Sequence, residues 1–295
     1  MLDSLEKGGF VFLAKQGGDV TRLEPLKRSA LAIGGWTSVA WQKLGVMNFK
    51  EIYCGMLEGV LAFFYPPVCQ ICGTNRAMPE QGYVCLACVS KPGALRFIET
   101  GYCSRCGIPY DGAVERRFAC SNCAGLNLEF DWARSSVVAT PFVLDLARRY
   151  KYHGATWLQP LLKTWLLRVA LVELDGTDWD WIVPVPMHNV RLRERGYNQA
   201  ERLGVGLSFG TGITLNTKLL RRVKATPTQT TLNRRERMHN MADAFAVLPK
   251  AVIRGKRVLI VDDVLTTGAT TSGCAKVLRR AGALSVGVWT LARGK

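Results

Sequence analysis

Two adjacent carboxylates and a loop rich in threonine and glycine form the stretch best suited to chemistry. Asp262 and Asp263 follow the apolar run 258–261, which has the composition of a strand buried on both faces. The loop consists of Thr266, Thr267, Gly268, Ala269 and Thr270, and a helical pattern follows. A loop between a strand and a helix N-terminus binds phosphate through backbone N–H groups and the helix dipole. The carboxylates can accept hydrogen bonds from hydroxyl groups or bind a divalent cation.

Eight cysteines form four C-x-x-C pairs, a pattern typical of zinc sites. The pairs are Cys69 and Cys72, Cys85 and Cys88, Cys103 and Cys106, and Cys120 and Cys123. Each pair forms a tight knuckle with two thiolates, and two knuckles complete a tetrahedral Zn²⁺ site. The simplest pairing is sequential and gives two structural zinc ions, while a cross-braced pairing stays open. Disulfides, a thioredoxin-like motif and an iron–sulfur cluster fit the pattern less well.

The composition indicates a basic protein with polyanionic partners. The length of 295 residues suits about two domains, and a hydrophobic fraction of 48% is enough for a sizeable core. The formal charge is +16. The 191–240 stretch alone holds eleven Lys and Arg against three Glu. A solvated face, a pyrophosphate site and a track for nucleic acid all fit this stretch, and the three interpretations stay open. Because no apolar run reaches the roughly 18 residues of a membrane span and no cleavable leader is evident, we expect a cytoplasmic protein.

The sequence divides into three predicted parts. Residues 1–55 lack a sustained hydrophobic period, so we expect a poorly ordered N-terminal extension. Residues 56–128 hold the cysteines, preceded by a short apolar helix, and predict a double zinc ribbon. Residues 129–295 alternate strand and helix patterns. This alternation is typical of an α/β domain with a mostly parallel sheet flanked by helices.

The hydrophobic pattern places the elements within the third part. Strands are predicted over 133–139, 181–186, 218–222, 244–247, 258–261 and 285–292, and helices over 142–153, 158–174 and 271–281. The 191–200 segment is predicted as a basic loop leading into a helix. We expect Tyr197, Trp179 and Trp181 to pack in the core rather than stack on bases. Lys151 and His153 lie at a helix C-terminus, where cations are favourable, and their predicted role is structural.

Five features of the sequence together resemble the ComF family. They are the four C-x-x-C pairs, Pro184-Val185-Pro186, the 191–200 segment, the stretch from Arg222 through Gln229, Leu232, Arg237 and Asn240 to Phe245, and the 258–270 pattern. The 258–270 pattern resembles the signature with which type I phosphoribosyltransferases bind 5-phosphoribosyl 1-pyrophosphate (PRPP). An acidic pair alone would also suit an ordinary buried strand and turn, but the full pattern is long and specific. The family joins a double zinc ribbon to a phosphoribosyltransferase-like domain and is linked to competence, the uptake of transforming DNA.

The resemblance implies PRPP as a ligand, together with Mg²⁺. The 266–270 loop would bind the 5-phosphate, while Asp262 and Asp263 would orient the ribose hydroxyls directly or through Mg²⁺. Arg195 and Gly196 would belong to the pyrophosphate loop, so that Arg195, Asp262 and Asp263 are the candidate catalytic residues. The residues implied for a flexible loop over PRPP are Gln229, Arg234, Arg235 and Arg237.

The sequence does not identify an acceptor for the phosphoribosyl group. Thr266 stands where 6-oxopurine salvage enzymes carry an Asp that handles a purine proton, so we do not expect hypoxanthine or guanine as acceptors. The favoured hypothesis is a PRPP-binding protein of DNA uptake, with single-stranded DNA and proteins of the uptake machinery as partners. An active phosphoribosyltransferase of nucleotide metabolism and a non-catalytic nucleic-acid-binding zinc protein stay open as alternatives.

Overall fold

The computed structural model describes residues 67–110, 120–123, 125–224, 241, 243–248 and 252–294. The predicted N-terminal extension and the short helix that follows it lie outside these residues. The four residues predicted for the flexible loop also lie outside them: Gln229, Arg234, Arg235 and Arg237.

Five parallel strands form the central sheet, in the order β1–β7–β6–β2–β3. Their bounds are β1 Trp132–Val138, β2 Trp181–Pro184, β3 Thr214–Leu215, β6 Arg257–Leu265 and β7 Ser285–Arg293. The long strands β6 and β7 are almost continuously buried, as expected where helices cover both faces of a parallel sheet. The other two strands, β4 Leu220–Arg222 and β5 Phe245–Val247, form a separate antiparallel pair. The predicted α/β class and mostly parallel sheet are confirmed.

Helices precede or follow these strands. Their bounds are α1 Leu86–Val89, α2 Pro141–Tyr152, α3 Gln159–Glu173, α4 Asn189–Arg195, α5 Gln199–Thr211 and α6 Ala269–Arg280. Side-chain caps start three of the described helices: Thr140 Oγ1 accepts from Val143 N at 3.2 Å, His188 Nδ1 accepts from Val190 N at 3.4 Å, and Asn198 Oδ1 accepts from Ala200 N at 3.0 Å. No helix in the described part of the chain combines the length and apolarity needed to cross a membrane.

Two predicted boundaries were wrong near the functional site. The basic segment predicted as a loop contains α4, which ends where Gly196 adopts a φ of 76°. Its apolar residues Val190 and Leu192 are exposed, so no buried stripe marks the helix in the sequence. The strand predicted to stop at residue 261 continues to Leu265, because β7 still pairs with it beyond the aliphatic run.

Two apolar layers cover opposite faces of the sheet, because successive side chains of a strand point to opposite faces. Leu259 and Val261 pack with α2, α3 and α5 in what we call the α3 layer. Val258 and Ile260 pack with α6 in what we call the α6 layer, where Cys274 is fully buried.

Candidate functional site

The two carboxylates lie at the carboxyl edge of the sheet, within β6. The last β2 residue paired with β6 is Pro184, opposite Val261, so β6 extends past its neighbour at Asp262 and Asp263. Each carboxylate also accepts a backbone hydrogen bond of 2.9 Å from the next residue, Asp263 N to Asp262 and Val264 N to Asp263. Ligands of open α/β sheets bind at this edge.

The carboxylates differ in their surroundings. Lys151 Nζ, from α2, lies 2.6 Å from Asp263 Oδ2, and both side chains are largely buried. Burial, followed by the charge of Asp263, raises the pKa of Asp262 to about 8, and the charge of Lys151 opposes this rise. Although burial lowers the pKa of Lys151, the two carboxylates outweigh it and raise that pKa above its ordinary value. The charge of Asp263 is therefore compensated by the Lys151 ammonium, while Asp262 favours its protonated form.

The threonine-rich loop joins β6 to α6 and has the geometry of an anion site. Gly268 has a φ of 78°, which favours glycine, and it is the N-cap of α6. Thr267 Oγ1 accepts from Ala269 N at 3.3 Å, and Thr271 Oγ1 donates to Gly268 O at 3.1 Å. Thr266 is exposed, Thr267 and Thr270 are half-buried, and the backbone N–H groups of the first turn of α6 lie at the positive end of its dipole.

A small cleft brings several of the predicted residues together. It has a volume of about 190 Å³ and is lined by Lys151, Tyr152, Val185, Pro186, Met187, Arg191, Arg195, Gln199, Arg222, Asp262, Asp263, Val264 and Thr270. Arg195 ends α4, donates from Nη1 to Gln199 Oε1, and lies 5.1 Å from the ring of Tyr152. Gly196 forms the turn after it. The structure thus collects the carboxylates, Arg195 and the last loop threonine around one cavity, with the rest of the loop beside it.

Three further cations line this cleft. Arg191 and Arg222 lie in the basic 191–240 stretch, for which a pyrophosphate site was one of three open interpretations, but neither residue was singled out. Lys151 was predicted to be structural, because a lysine at a helix C-terminus is already explained by the helix dipole. By contrast, Tyr197 packs on Tyr150 and is only 9% exposed, and Trp179 packs edge-to-face on Trp132, so both serve the core as predicted.

The eight paired cysteines form two clusters of four, in the sequential pairing. The first cluster is Cys69, Cys72, Cys85 and Cys88, and the second is Cys103, Cys106, Cys120 and Cys123; in each, the four sulfurs lie within 4.8 Å of one another. Individual S–S distances are 3.8 and 3.9 Å in the first cluster and 3.5 to 3.9 Å in the second. A tetrahedral shell with Zn–S bonds of about 2.3 Å has S–S edges of about 3.8 Å. Both clusters therefore fit zinc.

Hydrogen bonds to sulfur support thiolates in both clusters. In the first, Cys69 Sγ accepts from the N–H of Ile71 and of Cys85; in the second, Cys106 Sγ accepts from Asn122 Nδ2 at 3.4 Å. Without a cation the four sulfurs cannot all ionise. A backbone hydrogen bond from Asn75 lowers the pKa of Cys72 to about 5, while burial raises the pKa of Cys88 to about 12. A divalent metal resolves this conflict by stabilising all four thiolates.

Two family models match the chain in the order of its parts. A double zinc ribbon domain matches residues 60–124, and a phosphoribosyl transferase domain matches residues 174–295. The first match covers the eight paired cysteines, and the second covers the carboxylates, the loop and Arg195.

Three relatives with printed names match most of this chain. Competence protein F of Haemophilus influenzae is 32% identical over 224 residues, which cover 70% of this chain and 96% of that protein. DNA utilization protein YhgH of Escherichia coli K12 is 32% identical over 77% of this chain and 97% of that protein. Competence protein ComFC of Streptococcus pneumoniae is 27% identical over 68% of this chain and 90% of that protein. With a double zinc ribbon, a phosphoribosyl transferase domain and these relatives, the chain belongs to the ComF family.

Proposed function

We propose that the protein binds Mg²⁺–PRPP in the cleft at the carboxyl edge of the sheet and acts in the uptake or utilization of DNA. The observation that supports this most is the meeting of an acidic pair, an anion-binding loop and several cations around one cavity. PRPP needs these three features, because it carries a phosphate, a diol and a pyrophosphate. The role in DNA uptake or utilization rests on the names of the relatives.

Each part of the ligand has a proposed partner. The 266–270 loop binds the 5-phosphate through backbone N–H groups and hydroxyls. Asp262 and Asp263 accept hydrogen bonds from the ribose hydroxyls, and their hard carboxylate oxygens suit Mg²⁺. Arg195 and Gly196 form the pyrophosphate site, to which Lys151 and Arg191 of the same cleft add positive charge.

The chain's own groups also support a transfer reaction, should an acceptor enter. As the bond from C1 to the pyrophosphate lengthens, negative charge grows on the leaving group, and fixed cations stabilise it without reorganisation. Bound Mg²⁺ would add charge neutralisation at the same oxygens. Arg195, Asp262 and Asp263 are therefore the proposed catalytic residues. Gln229, Arg234, Arg235 and Arg237 are proposed to close over the ligand.

We also propose the division into an extension at 1–55, a double zinc ribbon at 56–128 and a phosphoribosyltransferase-like domain at 129–295. Zinc thiolates persist in reducing compartments, so we place the protein in the cytoplasm. Single-stranded DNA and proteins of the uptake machinery are the proposed macromolecular partners, since the basic surface suits a polyanion.

Calorimetric titration with Mg²⁺–PRPP tests the binding site. Arg195→Met removes a cation that lines the cleft, and we expect its affinity to fall about tenfold, or about 1.4 kcal/mol. Arg193→Met is the matched control, because Arg193 lies on the same helix and is exposed to solvent. Equal affinities of the two variants would contradict the assignment of Arg195.

Turnover and DNA binding are tested together. Pyrophosphate release from PRPP is measured across a panel of nucleobases and amines, beside binding of single-stranded DNA with and without PRPP. Asp262→Asn and Asp263→Asn should abolish any release. If no acceptor supports release, and DNA binding is the same in these variants as in the natural protein, the enzyme hypothesis fails and the nucleic-acid-binding zinc protein is favoured.

A further inference from the structure

Arg293, the last residue of β7, is a buried arginine between the second cysteine cluster and the phosphate loop. Only 1% of its surface is exposed. Arg293 pairs with Leu265 in the parallel register of β6 and β7, so its side chain starts at the point where β6 ends. A guanidinium in this position reaches both the loop that follows β6 and the second cysteine cluster beside that loop.

The hydrogen bonds of Arg293 join the two regions directly. Nε donates to the carbonyl of Cys106 at 2.8 Å. Nη1 donates to the carbonyls of Leu265 at 2.9 Å and Thr266 at 2.7 Å, and also to Gly294 O. Because the guanidinium is planar and rigid, these bonds fix the position of the Cys106 carbonyl relative to the end of β6 and the first residue of the 266–270 loop.

The charge of Arg293 points to the metal site as its counter-ion. Burial of a cation is costly unless an anion compensates it, and within the described residues no carboxylate lies within ion-pair distance of Arg293. Cys106, whose carbonyl it binds, is a ligand of the second cluster. A Zn²⁺ ion with four thiolates carries a net charge of about −2, which supplies the missing negative charge beside the guanidinium.

Other contacts hold the second cluster against the same loop. Glu129 N donates to Ser272 Oγ of α6 at 3.0 Å, which ties the segment after the last cysteine to the helix that begins in the loop. Leu128 and Phe130 lie against Gly268 of the loop. The buried cysteines of this cluster, Leu265 and Ala269 all belong to the α6 layer. The buried cysteines of the first cluster belong to the α3 layer, on the opposite face of the sheet.

We propose that Arg293 is a positioning residue that couples metal occupancy of the second cysteine cluster to binding of the 5-phosphate of PRPP. The coupling rests on the proposed PRPP site and adds a regulatory input to it. Loss of zinc from the second cluster removes the counter-charge and the fixed carbonyl, and thereby loosens the loop. Because coupling is reciprocal, bound PRPP also tightens zinc at the second cluster and leaves the first cluster unaffected.

A matched pair of cysteine variants tests the coupling. Cys72 and Cys123 are the half-buried members of the first and second clusters. Cys72→Ser and Cys123→Ser should each lose one zinc ion, which elemental analysis measures. By calorimetry we expect the affinity for Mg²⁺–PRPP to fall about tenfold in Cys123→Ser and less than about twofold in Cys72→Ser. Equal affinities in the two variants would overturn the proposal.

A measurement on the natural protein avoids the risk that a variant fails to fold. Zinc release to a chromophoric chelator is followed with and without saturating Mg²⁺–PRPP. We expect one of the two zinc ions to leave about tenfold more slowly when PRPP is bound, and the other to leave at an unchanged rate. Binding of PRPP without any change in either rate overturns the coupling and leaves the proposed function intact. No PRPP binding at all overturns both.

Substitution of Arg293 separates its charge from its geometry. Arg293→Lys keeps the cation but cannot reach the Cys106 carbonyl and the Leu265 and Thr266 carbonyls at once. The rate of zinc release should therefore stay within about twofold of the natural rate, while the affinity for PRPP falls about tenfold. Arg293→Met should in addition speed zinc release. Arg168→Met, at an exposed arginine, is the control for loss of an arginine. If PRPP affinity is the same in Arg293→Lys as in the natural protein, the assignment of Arg293 is wrong.

Discussion

The two cysteine clusters have the same ligands but different surroundings. The first packs in the α3 layer, where Gly82 of its ribbon lies against Leu161 of α3. The second packs in the α6 layer, with the loop that begins α6. Ligand chemistry alone would make the clusters interchangeable structural supports, and only their positions on opposite faces of the sheet distinguish them.

Equivalent glycines show how much closer the second cluster is to the sheet. Gly73 and Gly107 each follow the second cysteine of a knuckle and have φ values of 69° and 66°. A Cβ at Gly73 would meet nothing within 4 Å, whereas a Cβ at Gly107 would lie 2.6 Å from Ala133 O of β1. The knuckle of Cys103 and Cys106 also accepts a hydrogen bond from β1, from Ala133 N to Arg105 O at 2.9 Å. The knuckle of Cys103 and Cys106 therefore packs directly on the sheet, and the knuckle of Cys69 and Cys72 does not at the equivalent glycine.

The largest expected difference between the clusters is in stability. Gly107→Ala must displace the backbone of β1 as well as strain a left-handed residue, so we expect it to lower the free energy of unfolding by about 3 kcal/mol. Gly73→Ala adds only the backbone strain, about 1 kcal/mol. Denaturant unfolding of the zinc-loaded proteins measures both. Similar losses in the two variants would show that the closer packing of the Cys103 and Cys106 knuckle on β1 contributes nothing to stability.

The pH dependence of ligand binding sharpens the comparison, because neither cluster contacts Asp262. The pKa of Asp262 is about 8, so below that pH the free protein holds a proton that must leave before a carboxylate can bind the ligand. Affinity for Mg²⁺–PRPP should therefore rise with pH between 6 and 7.5, by up to about tenfold per unit. Calorimetry across this range measures the slope.

Cys72→Ser and Cys123→Ser should keep the pH slope of the natural protein, whatever their affinities. Asp262→Asn binds more weakly and should retain only the slope that the titrating phosphates of PRPP contribute. A flat profile in the natural protein would contradict the raised pKa of Asp262. A slope lost only in Cys123→Ser would mean that the second cluster acts on the carboxylates rather than on the loop.

The smallest expected effect on stability concerns Tyr102, the residue before the second cysteine cluster. Tyr102 OH donates to Glu173 Oε1 of α3 at 2.7 Å in a half-buried site. Tyr102→Phe should lower the free energy of unfolding by about 1 kcal/mol. The control Glu99→Gln breaks an exposed ion pair with Arg168 and should cost less than about 0.5 kcal/mol. Thermal unfolding compares them, and a larger loss in Glu99→Gln would contradict the ranking.

Much of the fold and part of the site could be predicted from the sequence. Aliphatic runs such as Val258 to Val261 predict buried parallel strands. The cysteine spacing predicts two four-cysteine sites, and the structure selects the sequential pairing over the cross-braced one that the sequence left open. Both signals are local, since each depends on residues a few positions apart. Helix α4 has no buried stripe and was therefore missed.

The contacts made over long sequence distances could not be predicted. Lys151 and Asp263 are far apart in the chain, and nothing in the residues around Lys151 distinguishes it from an ordinary helix-ending cation. Arg293 follows an apolar strand and resembles any solvated basic residue at a strand end. Its burial depends on the second knuckle and on the loop, which tertiary packing alone brings together.

The place of β7 between β1 and β6 affects the order in which a newly made chain acquires structure. Every other strand of the sheet leaves the ribosome before β7, so β1 and β6 lack their shared neighbour until synthesis has reached it. The knuckles need only nearby residues and can take up metal during translation. Arg293 is therefore made after all eight paired cysteines, and its hydrogen bond to Cys106 forms with a segment that the ribosome has already released.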